Sequence, residues 1–417
     1  MSRMIETVAP ARLGHGFRWL LGSSWSTNLS DGIGIAAGPL LVASQTRDPG
    51  LVALSALLQW LPQLLFGLYA GALSDRLDRR LLVIVVNVIR TVVLGVIAAS
   101  ILTGTVSIGF VLIAFFILGT AEVFADNTSH TLLPMLVARD DLAIANARLQ
   151  AGFITVNQLA GPPIGAALFA IGMALPIIGM AVLVGAGALL VARIAVPPHG
   201  REEVRETHVR QDIAEGLRWV RRHAAVRTLV LTIFTFNITF GAAWSVLVLY
   251  ATERLGLGAV GFGLLTTISA VGGLLGTVAY GWITRRLSLG NIMRIGLIIE
   301  TLTHLGLAVT TTPAVATVIF FVFGLHAFVW GTTSVTVRQR AVPIELQGRV
   351  GSVNSVGVFG GLVVGAGIGG LLAQLFGVTA PFWFAFVGSA LFLVLIWREL
   401  RHIAHADEAS APLSASA

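Results

Sequence analysis

Three ionisable side chains, Asp31, Arg90 and Glu122, each fall near the middle of a long apolar run of the sequence. A charged group held in hydrocarbon is costly, so each needs a partner or a water-filled path. If the runs cross a membrane, the three lie at similar depth, and one arginine shared between two carboxylates is the natural arrangement. Protonating either carboxylate then changes what Arg90 can hold, which is the chemistry of proton coupling. A static ion pair that locks helices together is the rival reading. Asp126, one turn along from Glu122, is placed to join the cluster. Later in the chain Glu300 and His304 stand four apart and share a helical face, with His326 in the following run. Glu300 offers a second proton site or a partner for His304. No third donor stands at metal-ligand spacing, so neither a metal nor a cofactor is expected.

A second set of residues could shape a cavity. Trp25 and Asn28, Gln59 and Gln63, Asn237 and Trp244, His326 and Trp330, and Asn354 place rings and amides within apolar runs. Rings supply contact area and amides supply adaptable hydrogen bonds, a composition suited to a bulky amphipathic solute. Trp60, Trp383 and Trp397 stand near run ends and read as interface anchors.

The elements that position these groups follow from composition. Of 417 residues, 56% are hydrophobic and 11% charged, against about 25% charged in a soluble domain, so the apolar excess must face lipid. Spans are read at 17–43, 51–73, 81–103, 107–133, 146–171 and 175–195, then at 229–250, 261–283, 289–309, 312–337, 352–376 and 378–397. The fold class expected is an all-α integral membrane protein of twelve transmembrane helices in two six-helix halves. Its parts are a cytoplasmic tail (1–16), a first half (17–196), a central loop (197–227), a second half (228–400) and a cytoplasmic tail (401–417).

Orientation comes from charge. All 27 basic residues are arginine, and 24 of them sort to one side of these spans, which places both termini and the central loop in the cytoplasm. The first sixteen residues show no cleavable signal. In the central loop Ile213, Leu217 and Val220 share a face with arginines on the others, as in a helix lying on the membrane surface or a solvated linker helix. The chain has no cysteine, which removes disulfides and thiolate chemistry. It also has no lysine, hence no phosphate-binding loop of the ATPase kind, and no hydrolase constellation. An enzyme is not expected. The scattered arginines give no nucleic-acid patch.

The stretch from Gly71 to Arg80 reads GALSDRLDRR after the second span, and Gly281 to Leu287 reads GWITRRL at the matching place after the eighth. Pro134 and Pro343 also fall at similar offsets, so the halves look duplicated. The first stretch resembles the loop motif between the second and third helices of the major facilitator superfamily, and span count, halves and central loop agree with that resemblance over essentially the whole chain. Asp78 departs from the glycine many members carry. The form of the motif is similar to the branch of macrolide-type drug exporters and enterobactin-type siderophore exporters. By this resemblance Gly71, Asp75, Arg76, Asp78, Arg79 and Arg80 form a gating latch, with the glycine allowing close helix approach and the carboxylate meeting arginines or a helix amino terminus. In the fifth span Gly161, Pro162 and Gly165 resemble the helix motif of the superfamily's antiporters, although Ala166 replaces its final glycine. Small residues there permit tight packing and the proline a bend.

The reading is a secondary active exporter that exchanges protons for a drug-like or siderophore-like amphipathic molecule by alternating access, working as a monomer in the plasma (inner) membrane. The alternatives are an uptake or lipid-translocating transporter of the same fold, and a membrane receptor or scaffold that does not transport.

Overall fold

Apolar runs of this length can satisfy their backbone only as helices inside a bilayer, and the computed structural model consists of helices throughout its described residues, 10–195 and 209–400. In order these are α1 (Gly14–Gln45), α2 (Pro49–Arg76), α3 (Arg79–Leu102), α4 (Ile108–Leu136), α5 (Leu142–Gly152), α6 (Gly161–Ile171), α7 (Ala174–Val191), α8 (Val209–Arg222), α9 (Ala224–Trp244), α10 (Ala259–Thr284), α11 (Leu289–Val309), α12 (Pro313–Ala341), α13 (Gln347–Phe376) and α14 (Ala380–Ile396). Ten of the described helical stretches are long and apolar enough to cross a membrane, and α14 is a shorter apolar helix. The first span, α1, falls outside that set because of its run of polar residues from Ser23 to Asp31. With α1, each of the twelve expected spans has its helix.

By spatial grouping the chain forms two units. One comprises 1–47, 58–207 and 257–267, the other 48–57, 208–256 and 268–417. In the first unit Ser23 and Ser26 of α1 face α7. Ser23 Oγ donates to the Gly187 carbonyl at 2.9 Å and Ser26 Oγ to that of Leu183 at 2.7 Å. Small hydroxylated residues thus let two backbones approach and satisfy their own donors in lipid.

On its other side α1 meets the fifth span, where α5 and α6 are joined by a π-helical stretch, Phe153–Ala160. Pro162 and Pro163 lack N–H groups, so the carbonyls one turn earlier have no regular partner and the helix widens there. The irregularity precedes the prolines by one turn. A Cβ on Gly161 would lie 2.5 Å from Gly32 Cα, and one on Gly165 would run into the backbone of Ile33. The contact is backbone on backbone.

The second unit repeats this device. Gly361, Gly365 and Gly369 of α13, at four-residue spacing, press against the backbone of α9 at Phe234, Ile238 and Ala242. The seventh span is interrupted after α9 at Ser245 and Val246. It resumes as Leu247–Leu249 and a π-helical Tyr250–Arg254. Tyr250 is fully buried and its hydroxyl donates to the Leu307 carbonyl at 2.7 Å, fastening the irregular segment to α11. Irregular backbone at membrane depth persists only where protein or a cavity surrounds it.

The central helix α8 packs in part on its own unit. Its apolar face is covered in part by protein. Gly216 abuts the backbone of Arg349, Glu215 pairs with Arg349 at 2.9 Å, and Val220 is buried with Val226, Val342, Val350 and Val353. Leu217, expected on the same face, is exposed.

Candidate functional site

Within the first unit, α1 carries Asp31 and α3 carries Arg90, 59 residues apart in sequence, and the two side chains form a hydrogen-bonded ion pair. Arg90 is buried, whereas the Asp31 side chain keeps 17% of its surface accessible. Glu122 of α4 and, more weakly, Asp126 add their fields to that of Asp31 on the guanidinium. Glu122 is half-buried and Asp126 exposed. Of the expected cluster, Asp31 and Arg90 are the bonded members, and among the described residues no hydrogen bond or ion pair joins Glu122 or Asp126 to Arg90. Arg90 Nε has no hydrogen-bond partner, and neither has Oδ1 of Asn87, a buried amide one turn earlier on α3. Sequence reasoning missed Asn87, although its i, i+3 spacing from Arg90 was the available signal.

Asp31 immediately precedes Gly32, the residue against which Asn157 and Gly161 press. The Asn157 amide also donates to the Asn28 carbonyl at 3.2 Å. The ionisable site and the proline-bearing fifth span therefore share one helix contact. Gly263 on α10 lies against Ala166 and the Pro162 carbonyl, so Ala166, where the motif departs, is itself a packing position.

Several expected cavity residues have local partners. Trp25 Nε1 donates to the Arg148 carbonyl at 3.3 Å and its ring covers Gly152, so it packs helix on helix. Asn28 Nδ2 bonds back to the Ser24 carbonyl at 2.7 Å, and Asn237 does the same to Ile233 at 2.7 Å. Gln59 is exposed, its backbone lying against Gly119, and the Gln63 amide lies over Gly67. In the second unit Trp330 Nε1 and Asn354 Oδ1 are buried without a hydrogen-bond partner, as are both ring nitrogens of His304 and of His326. Glu300 and His304 share a face as expected, but no hydrogen bond joins them. Trp244 packs on Phe240 at 4.3 Å and on Phe323 at 4.7 Å between ring centroids.

The loop motif is described in part. Among the described residues nothing stands within 4 Å of a Cβ placed on Gly71 or on Gly281, so the close approach expected of Gly71 is absent here. Asp78 caps α3, accepting from the Leu81 amide at 2.9 Å. That gives Asp78 a structural role at the start of the helix. Arg79 lies against Met135 at 3.3 Å and Arg80 donates to the Ala192 carbonyl at the end of α7. The side chains of Asp75 and Arg76 lie outside the described residues.

Lipid-length helices, two units each with a glycine-mediated crossing, and an ion cluster at mid-span define a multi-pass membrane transporter fold. The profile of the Major Facilitator Superfamily matches residues 20–361, and the chain belongs to that superfamily. It is 27% identical over 392 residues to the multidrug efflux pump Tap of Mycolicibacterium fortuitum, covering 87% of this chain and 90% of that protein. It is 22% identical over 370 residues to macrolide efflux protein A of Streptococcus pyogenes, covering 85% and 88%. Among solved structures, a bacterial homologue of the iron transporter ferroportin in the inward-facing state superposes with a TM-score of 0.75 at 17% identity, covering 92% of this chain and 98% of that one. The nucleoside transporter NupG gives 0.71 at 13% identity, covering 93% and 99%. At these identities the structures establish the fold alone. The family consists of transporters, not enzymes.

Proposed function

We propose that this protein is a proton-coupled exporter of drug-like amphipathic small molecules, working by alternating access. The observation that carries the reading is the Asp31–Arg90 pair, set beside the backbone contact between α1 and the proline-bearing fifth span. A carboxylate that pairs with arginine releases its proton more readily than one that has lost the arginine. Any movement that separates Asp31 from Arg90 therefore changes proton occupancy, and proton uptake in turn favours the separated state. Because Gly32 is wedged against Gly161, such movement is transmitted to the fifth span. Glu122 and Asp126 supply the alternative charge for Arg90 when Asp31 is neutral. The efflux relatives support a drug-like load over a siderophore. Substrate with different affinities for the two conformations then couples the fluxes.

The reading includes a monomer in the plasma membrane with cytoplasmic termini, supported by the arginine distribution. A cysteine introduced at Ser2 or Ser414 should resist an impermeant thiol reagent in intact cells, and rapid labelling would reverse the topology. The mechanism is tested in inverted vesicles with erythromycin as the load. Asp31→Asn should abolish uphill, proton-driven transport while downhill exchange persists. Uphill transport with unchanged dependence on the pH gradient would remove Asp31 from the mechanism.

A further inference from the structure

The second unit holds a polar group of residues that the proton chemistry of the first unit does not use. On α11, Met293, Gly296, Leu297, His304 and Leu307 are all buried, and successive helical positions are 100° apart. Glu300 falls at the centre of this inward arc and is itself half-buried. No charged neighbour offsets Glu300 among the described residues. One turn on, His304 is fully buried, and His326 of α12 is 4% exposed. Neither imidazole has a partner on either nitrogen. A buried polar atom left unpaired costs free energy and calls for an explanation, and two neutral imidazoles without partners leave two lone pairs open to a donating ligand.

The surroundings specify the ligand's chemistry. The Trp244 ring lies 6.0 Å from His304, and Phe323 lies 5.4 Å from His326, between centroids. Gly296 makes room for this arrangement, since a Cβ there would lie 2.7 Å from the Trp330 ring and 3.4 Å from His326 Nδ1. The fixed charge is negative, neutral imidazoles offer lone pairs, and ring faces attract cations. Residues four apart on a helix face have Cβ atoms about 5–6 Å apart, so one ammonium group can serve both Glu300 and His304.

We infer that Glu300, His304 and His326 form a binding site for a protonated amine carried on an aromatic or cyclic apolar body, with Trp244 and Phe323 receiving that body. This deepens the exporter reading and rests on it. It also divides the labour, because the amine meets its counter-charge in the second unit while the proton is handled in the first. Load and proton then need not compete for one carboxylate.

The test is equilibrium binding of radiolabelled imipramine to the purified full chain in lipid nanodiscs, with no gradient, so a failure of proton coupling leaves it untouched. Competitors are iminodibenzyl, the same ring body uncharged and without the dimethylaminopropyl chain, and the quaternary N-methyl form of imipramine, which keeps the charge but has no N–H. The wild-type protein should prefer imipramine to iminodibenzyl by at least about tenfold, as expected of one charge-assisted hydrogen bond. That comparison needs no variant. Glu300→Gln should weaken imipramine by about tenfold or more and leave iminodibenzyl within about twofold. The double variant His304→Phe/His326→Phe should weaken imipramine more than its quaternary form. Absence of imipramine binding by the wild type, equal affinity for charged and neutral ligands, or an equal loss of both in Glu300→Gln would overturn the site.

Discussion

Breaking the Asp31–Arg90 pair should be asymmetric, and the asymmetry can be worked out from the cluster. Removing one partner of a buried ion pair costs about 3–5 kcal/mol, because the other charge is left unpaired. Arg90→Gln leaves Asp31, Glu122 and Asp126 without their common cation. The partial accessibility of Asp31, 17% of its side chain, moves the expected loss to the low end of that range, about 3 kcal/mol or roughly a hundredfold in the unfolding equilibrium. Asp31→Asn leaves Arg90 with the fields of Glu122 and Asp126, so its loss should be smaller, about 1–2 kcal/mol. In Asp31→Asn/Arg90→Gln the bonded pair is gone from both sides. The double variant should therefore be more stable than the sum of the single losses by at least about 1.5 kcal/mol. Titration with sodium dodecyl sulfate in mixed micelles, followed by tryptophan fluorescence, gives all four corners of the cycle. Additive losses, or an Arg90→Gln variant no less stable than Asp31→Asn, would refute the argument that Arg90 is the common cation of this cluster.

Two further perturbations probe positions where packing and motif meet. Gly161→Ala would bring a methyl group to 2.5 Å from Gly32 Cα; overpacking of this kind costs about 1–3 kcal/mol. It should lower vesicle transport strongly with the protein still inserted, and unimpaired transport would show that the crossing can loosen freely. Asp78→Ala removes the cap on the Leu81 amide and should lower stability by about 1 kcal/mol. Asp78→Asn should keep most of that stability and the transport activity, and a full loss of transport in Asp78→Asn would mean that the charge, not the cap, is what matters.

The sequence by itself determined what depends on local chemistry. Apolar run length sets the number of spans, because each helix satisfies its own backbone in lipid whatever its neighbours do. The depth of Asp31, Arg90 and Glu122 followed from their places in those runs, and the shared face of Glu300 and His304 from their spacing. Tertiary structure decided what depends on which faces meet. Nothing in a hydropathy pattern tells that Asp31 rather than Glu122 bonds Arg90, since that depends on how α1 and α3 are rotated about their axes. Trp25 and Asn28 read as cavity residues, and only the folded chain shows their partners, the carbonyls of Arg148 and Ser24. The apolar stripe of α8 was visible, yet its cover, the backbone of Arg349 beside Gly216, lies more than a hundred residues away. The four unpaired nitrogens of His304 and His326 likewise exist only as a product of packing. A polar side chain in a sequence always has possible partners, and only a folded neighbourhood shows that none has been supplied.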